Sequence, residues 1–249
     1  MTTRRQFLAL AGGATAGSIA APGLLGLRTH TVHAQAIPGA PSFRGAAGKS
    51  IQGPLTLSAG MAVFRAQHNG TANFGVTLFL PNPGEAIQQS YDEVSYTDSS
   101  LVYNEIGAYK GGAVAMAGTP GDHYLGITAS GAYQVSVEQP VPGNVTTIQQ
   151  TTFSGRGKDV TPYFMLPAGL SSLSVQTSNT DFFRGWLYHI DDLGGEPLPD
   201  GINVYDGRFF DFSFPGNQPS YPVYLPDSGP YLLSTDNIGP NDTWTFTFQ

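Results

Sequence analysis

The chain has no cysteine among its 249 residues. Disulfide bonds, thiolate metal sites, thiol nucleophiles and a lipid anchor on cysteine are therefore excluded. The fold must be stabilised without covalent cross-links, and a chain of this length can bury enough apolar surface for that.

Charged side chains are also scarce. They make up 12% of the residues, and 18 acidic side chains outnumber 11 basic ones. Proteins that bind nucleic acid or anionic lipid usually present a basic patch, so this composition argues against both kinds of partner.

The common catalytic motifs are missing. The sequence contains no Gly-x-Ser-x-Gly elbow, no His-Glu-x-x-His helix and no Walker loop. A Ser-His-Asp triad has no fixed order in sequence and is therefore not excluded. However, His68, His123 and His189 lie beside turns or in an apolar strand, and we interpret these histidines as structural. We predict a non-enzymatic protein without a cofactor, and a secreted hydrolase with an unrecognised site is the alternative.

Helical periodicity is lacking too. Beyond the N-terminal segment, no stretch longer than ten residues keeps a period of 3.6 without an interrupting Gly or Pro. The chain instead has 32 Gly, 19 Pro, 15 Phe and 12 Tyr, and many turns between short apolar segments are typical of all-β proteins. We predict antiparallel β-sandwich units of jelly-roll or immunoglobulin-like type, with seven or eight short strands each.

What the sequence does contain is a duplication. The stretch GPLTLSAGMAVF at Gly53–Phe64 is echoed by TPYFMLPAGLSSL at Thr161–Leu173. Matching positions lie within and around both copies: Phe43-Arg44-Gly45 and Phe153-Ser154-Gly155, Ala59-Gly60 and Ala168-Gly169, Phe74 and Phe183, Leu78 and Leu187, Gln139 and Gln249. Since Phe43 to Gln139 and Phe153 to Gln249 are equally long, we predict two tandem units, residues 37–142 and 143–249.

Turn residues predict the connections within each unit. Asn69-Gly70 stands between two alternating apolar segments, which is a strong hairpin signal. We also expect a closing hairpin in each unit, formed by Tyr124–Ile127 with Gly131–Val137 and by Tyr231–Leu233 with Trp244–Phe248. The segment Glu85–Tyr109 has a weaker pattern and predicts a long polar loop or an edge strand.

The first 36 residues have the composition of a targeting segment. Thr3-Arg4-Arg5-Gln6-Phe7-Leu8 is followed by a Gly/Ala-rich apolar run and then by Ala34-Gln35-Ala36. This order resembles the twin-arginine export signal of prokaryotes, which implies export in the folded state to the periplasm, cell surface or exterior. Cleavage after Ala34 or Ala36 is expected, with retention as an anchor as the alternative. Removal of residues 1–36 would leave no membrane span and a net charge of −10.

A second resemblance concerns architecture. The short strands and the Gly-Tyr pattern before a closing aromatic strand resemble small bacterial extracellular β-sandwich modules, including those appended to secreted peptidases and glycan-binding proteins. The resemblance implies a binding, adhesion or envelope-structural role, with a cell-envelope or extracellular protein or glycan as partner. It assigns no binding residue.

Two clusters are candidate sites. Asp191, Asp192, Glu196 and Asp200 lie in a Gly/Pro-rich loop and could bind calcium, which prefers several oxygen ligands; a solvated acidic loop is the alternative. Tyr91, Tyr96, Tyr103 and Tyr109 could stack on sugar rings as a carbohydrate-binding platform. The alternative for the tyrosines is that their rings cover a sheet edge with the hydroxyls in water.

Overall fold

A computed structural model describes residues 40–87, 94–141, 143–179, 182–190, 208–215, 217–236 and 238–249. Sixteen strands lie in these ranges: β1 Ser42–Gly45, β2 Gly48–Leu57, β3 Gly60–His68, β4 Asn73–Pro81, β5 Tyr96–Ile106, β6 Tyr109–Ala117, β7 Gly121–Ala129, β8 Tyr133–Glu138, β9 Thr152–Arg156, β10 Phe164–Leu166, β11 Gly169–Thr177, β12 Phe182–His189, β13 Arg208–Pro215, β14 Gln218–Leu225, β15 Gly229–Asp236 and β16 Thr243–Phe248. None of the described residues forms a helix long and apolar enough to cross a membrane.

The first eight strands form two antiparallel sheets. One sheet has the order β1-β8-β3-β6 and the other the order β2-β7-β4-β5. Strands from opposite ends of the unit are therefore neighbours, and the chain passes repeatedly from one sheet to the other. This strand order is that of an eight-stranded jelly roll.

The second eight strands repeat this arrangement. Their sheets have the orders β14-β11-β16-β9 and β10-β15-β12-β13. When each strand is matched with the one eight places earlier, both orders are the same as in the first unit. The predicted tandem antiparallel β-sandwich is therefore confirmed, and of the two predicted types both units are jelly rolls.

Each unit has its own apolar core between its two sheets. In β4, Phe74, Val76 and Leu78 are buried while the residues between them are more exposed, because successive side chains of a strand point to opposite faces. All eight strands of unit one contribute to one cluster, which includes Phe64, Leu125 and partly buried Phe43. The second cluster is built around the aromatic rings of β9, β10 and β16.

The duplicated motifs occupy equivalent places. Gly60 begins β3 and Gly169 begins β11, with φ angles of 127° and 117°. Residues with a Cβ rarely adopt such angles, so glycine is required at both strand starts. Leu78 in β4 and Leu187 in β12 are both buried at their equivalent positions.

One predicted equivalence is wrong by a residue. In unit one, Glu138 pairs with Val63. When the units are aligned on Gly60 and Gly169, Val63 corresponds to Ser172. The backbone of Ser172 exchanges two hydrogen bonds with that of Gln249, at 2.8 and 2.9 Å. Gln249 is therefore the counterpart of Glu138, not of Gln139, and the equal spacing of the two copies conceals a one-residue difference in length.

The predicted hairpins are wrong as well. Asn69-Gly70 connects β3 to β4, which lie in different sheets, and β7 and β15 do not pair with the strands that follow them. Turn residues determine that the chain reverses, but long-range pairing decides whether the next strand joins the same sheet or the opposite one. The segment around Tyr96 does form an edge strand, β5, as one of its two predictions stated.

Candidate functional site

The two units contact each other through an apolar interface. Met61 and Val63 point outward from β3 and are 1% exposed. They form a cluster with residues of unit two: Val160, Tyr163, Tyr188, Ile190 and Leu232. The outer face of sheet β1-β8-β3-β6 is thus covered by the outer face of sheet β10-β15-β12-β13.

Two glycines of β6 allow the backbones to approach closely across this interface. A Cβ built on Gly111 would overlap the Lys158 carbonyl, and one on Gly112 would overlap the Val160 side chain. The Tyr109 hydroxyl donates to the Lys158 carbonyl at 2.9 Å, and the Lys158 Nζ donates to the Val102 carbonyl at 3.2 Å.

The interface also contains charged groups. Arg65 is 9% exposed and donates to the carbonyls of Val160 at 3.3 Å and Thr161 at 3.4 Å. Burial raises the pKa of Asp159 to about 7, although the Val160 N–H and the Arg65 charge oppose the shift. Burial likewise raises the pKa of Glu138. Arg65 and Asp159 are thus buried between the units, and Glu138 is partly buried.

The packing leaves one outer face of each unit uncovered by the other. The distal face of unit two is the outer face of β14-β11-β16-β9. Its outward side chains alternate with the buried core positions and are mostly hydroxyls: Leu170, Ser172, Ser174, Gln176, Thr243, Thr245, Thr247, Thr152, Ser154, Arg156, Pro222 and Tyr224. Neighbouring hydroxyls contact each other, with Ser154 Oγ 2.9 Å from Thr245 Oγ1.

A groove of about 510 Å³ lies at one end of this face, where β11 ends and β16 begins. The described residues that line it are uncharged: Val175, Gln176, Thr177, Ser178, Asn217, Thr243, Trp244 and Thr245. The Asn217 Oδ1 accepts from the Thr177 N–H at 2.6 Å, and the Ser178 Oγ accepts from the Thr243 N–H at 2.8 Å. These bonds fix the two rims of the groove.

Trp244 does not offer a stacking surface in the groove. It is 2% exposed, and its Nε1 donates to the Gly157 carbonyl at 2.9 Å. Exposed Gln176, Ser178 and Thr243 therefore supply the chemistry of the groove, through amide and hydroxyl groups that both donate and accept. The sequence did not identify these residues, because alternation of polar and apolar residues along a strand does not show which polar sheet face is left uncovered by the other unit.

The tyrosine platform predicted from sequence is not assembled. Tyr103 and Tyr109 are 0% and 6% exposed and belong to the core of unit one, where both rings contact Phe74. The prediction is wrong for Tyr103 because a bulge in β5 places it inward beside buried Val102. It is wrong for Tyr109 because this side chain, in β6, packs in the same core. Tyr96 is exposed, and Tyr91 lies outside the described residues.

The acidic cluster is not tested. Asp191, Asp192, Glu196 and Asp200 lie outside the described residues, and calcium binding there stays a prediction. Among the residues that are described, no group of three or more His, Asp and Glu side chains could hold a metal ion.

The three histidines among the described residues are buried in separate surroundings. His68 places its Nδ1 2.9 Å from the Gly107 carbonyl and stacks on Phe74, with ring centroids 4.8 Å apart. Its Nε2 lies 3.4 Å from the hydroxyl of exposed Ser130, which also accepts from the Ala72 N–H. Because Nδ1 faces a carbonyl rather than a carboxylate, this pair lacks the third member of a triad.

The other two histidines lie in different units. His123, in β7, is 3.8 Å from an Asp98 oxygen, and His189, in β12, contacts the Tyr231 ring. Both are buried within the sheets, which agrees with the structural role that we infer from sequence.

Comparisons with known proteins give little beyond the fold. No family model and no curated protein match the chain. Among solved structures, the chain is similar to the N-terminal CBM22-1-CBM22-2 tandem domain from Paenibacillus barcinonensis Xyn10C. The match covers 88% of this chain and 85% of that one, at 9% identity and a TM-score of 0.22. A likeness at this score carries no argument about function.

Proposed function

We propose that the protein is an exported, non-enzymatic binding protein and that it holds a neutral polysaccharide in the groove of unit two. The observation that supports this most directly is the groove itself. It is open and uncharged, is lined by amide and hydroxyl groups, and lies on a face that the other unit leaves free.

The lining chemistry selects for a neutral, hydroxylated ligand. Amide and hydroxyl side chains match the donors and acceptors of sugar hydroxyls. The groove lining itself carries no charge; exposed Arg156 pairs with Thr243 on the same face, but the acidic chain as a whole repels anionic ligands. The partner class is therefore a neutral glycan of the cell envelope or exterior, and not nucleic acid.

The same side chains support binding without turnover. General acid–base catalysis uses side chains such as His, Asp, Glu, Lys, Tyr or Cys, and the groove offers Ser, Thr, Asn and Gln in their place. Export follows from the resemblance of residues 3–8 to a twin-arginine signal. An adhesion or structural role without a glycan ligand is the competing function.

The test is affinity electrophoresis of the full chain through gels that contain neutral or anionic polysaccharides. We expect retention by a neutral polysaccharide and about five- to tenfold weaker binding in Gln176→Ala, since the loss of one or two hydrogen bonds costs roughly 1 kcal/mol. Gln67→Ala is the matched control, because exposed Gln67 is the counterpart of Gln176 in unit one.

Absence of retention on every neutral polysaccharide would refute the proposal, as would equal losses in the two variants. Release of reducing ends from a retained polysaccharide would instead support the hydrolase alternative.

A further inference from the structure

The contact between the two units covers one outer sheet face of each unit. The other outer face of each unit takes no part in this contact. Met61 of β3 pairs with Met116 of β6 in the interface sheet of unit one. At the equivalent register of unit two, Leu170 of β11 pairs with Tyr224 of β14. The two pairs thus occupy the same position on the outer face of the same jelly-roll sheet.

The pair in unit one is covered by unit two, whereas the pair in unit two is exposed. Met61 is 1% exposed because unit two covers it, and Met116 packs against the same cluster. Leu170 is 80% exposed and Tyr224 is 68% exposed. Unit two therefore presents an exposed apolar pair at the position that unit one uses to dock.

The complementary face lies on unit one. The distal face of unit one is the outer face of β2-β7-β4-β5, the counterpart of the unit-two sheet that receives Met61. Leu101, on this face, pairs with Thr77, whose counterpart in unit two is the interface residue Trp186. Leu101 is 65% exposed and Tyr96 is 46% exposed.

Tyr96 belongs to a small aromatic group on this distal face. Its ring lies 6.3 Å from Phe79, whose ring lies 6.0 Å from Tyr124. Phe79 is the counterpart of Tyr188, a member of the interface cluster, but Phe79 is itself fully buried. Exposed Tyr96 and partly buried Tyr124 are therefore the aromatic side chains of this group that the distal face of unit one presents.

We propose that copies of this chain associate head to tail, with Leu170 and Tyr224 of one copy docking on Leu101 and Tyr96 of the next. The intermolecular contact repeats the geometry by which unit one already docks on unit two. Because the two surfaces differ, the contact is heterologous and a third copy can add to a second, which gives open chains rather than a closed dimer.

The contact between copies is weaker than the contact between units. Gly111 and Gly112 lie in a regular part of the β3–β6 pairing, whereas the β11–β14 pairing has a register shift between Leu173 and Val175, so the close backbone approach at the two glycines is not repeated. Ser174 stands where unit one has Arg65, which removes the hydrogen bonds to the facing carbonyls. The association is therefore reversible and depends on concentration.

The polysaccharide groove stays open in such a chain. Gln176 lies at the far end of β11 from Leu170, roughly 20 Å along the strand. Its unit-one counterpart, Gln67, is exposed beside the existing interface.

Sedimentation velocity of the full chain, from roughly 1 µM to 1 mM, tests the proposal. The weight-average mass is expected to rise without a plateau at two copies. The double substitution Leu170→Ser with Tyr224→Ser should abolish this rise, and so should Leu101→Ser with Tyr96→Ser. Ile87→Ser with Val141→Ser, which alters exposed apolar side chains outside the strands, should leave it unchanged.

Mixing the two defective proteins gives the sharpest result. Each retains one intact face, so the mixture should form a single contact and stop at a mass of two copies. A monomer at all concentrations, a rise that survives both double substitutions, or a mixture that fails to pair would overturn the proposal. Polysaccharide retention of all these variants should be unchanged, so failure here is distinct from failure of the glycan proposal.

Discussion

Single residues explain why the Phe-x-Gly motif is repeated. Gly45 of β1 pairs with Tyr133, and Gly155 of β9 pairs with Trp244. A Cβ on either glycine would overlap the aromatic ring that lies over it. Glycine is thus required where a large ring of the last strand covers the first strand.

Gly155→Ala is therefore expected to lower the free energy of unfolding by about 1 to 3 kcal/mol, since the added methyl group must displace the Trp244 ring. Urea denaturation followed by tryptophan fluorescence measures the change. Gly75→Ala is the matched control, because a Cβ at Gly75 would meet its nearest neighbour at 4.0 Å. Equal losses in both variants would contradict the explanation.

Asp159 predicts a pH dependence. Burial raises its pKa from 3.8 to about 7 in the folded chain. Between these values the folded state binds more protons than the unfolded state, so the free energy of unfolding falls as the pH rises and levels off above about pH 8. Burial raises the pKa of Glu105 and Glu138 as well, which adds to the same slope.

Asp159→Asn should flatten this slope and should exceed the wild type in stability above pH 7. Urea denaturation between pH 4.5 and 8.5 measures it, with exposed Asp122→Asn as control. A wild-type stability that rises over this range would show that Asp159 is not protonated in the folded state.

At the scale of elements, hydrogen bonds between neighbouring loops fix the connections that cross between sheets. The β3–β4 connection is held to the β7–β8 connection by the Asn69 N–H donating to the Ala132 carbonyl at 3.1 Å and by the Ala72 N–H donating to Ser130 Oγ at 2.9 Å. A connection between sheets cannot use the ladder bonds of a hairpin, so one backbone bond and one side-chain bond to the neighbouring loop replace them.

Ser130→Ala is expected to cost about 1 kcal/mol of unfolding free energy, because the Ala72 N–H loses its acceptor. Amide hydrogen exchange at Ala72 should accelerate at the same time. Ser99→Ala, on the exposed side of β5, should change neither quantity, and an unaltered exchange rate in Ser130→Ala would contradict the assigned role.

At the scale of the whole molecule, a buried interface joins the two units. Its close approach depends on Gly111 and Gly112, and Arg65 satisfies two facing carbonyls. The interface makes unfolding of one unit expose apolar surface of the other, which couples the two transitions.

Gly112→Ala should separate the units and split a single calorimetric unfolding transition into two. Ser220→Ala, at an exposed position of β14 in the distal sheet of unit two, should retain one transition. A single transition in both variants would show that the units are coupled by contacts elsewhere.

The prediction from sequence succeeded where the signal was local. Alternation in β4 and the matched glycines Gly60 and Gly169 indicated two copies of a β-sandwich, and both are observed. It failed at Asn69-Gly70, because the turn does not encode which sheet receives the next strand. It failed at Tyr103, because a bulge in β5 reverses the inward and outward positions.

The sequence by itself determined the all-β class and the duplication, since strand periodicity and repeated motifs are properties of short segments. Only the tertiary structure decided which strands pair, which sheet faces are buried between the two units and which polar side chains line the groove. Those features arise between residues far apart in the chain, such as Met61 and Leu232 in one cluster or Leu170 paired with Tyr224, and no local pattern encodes them.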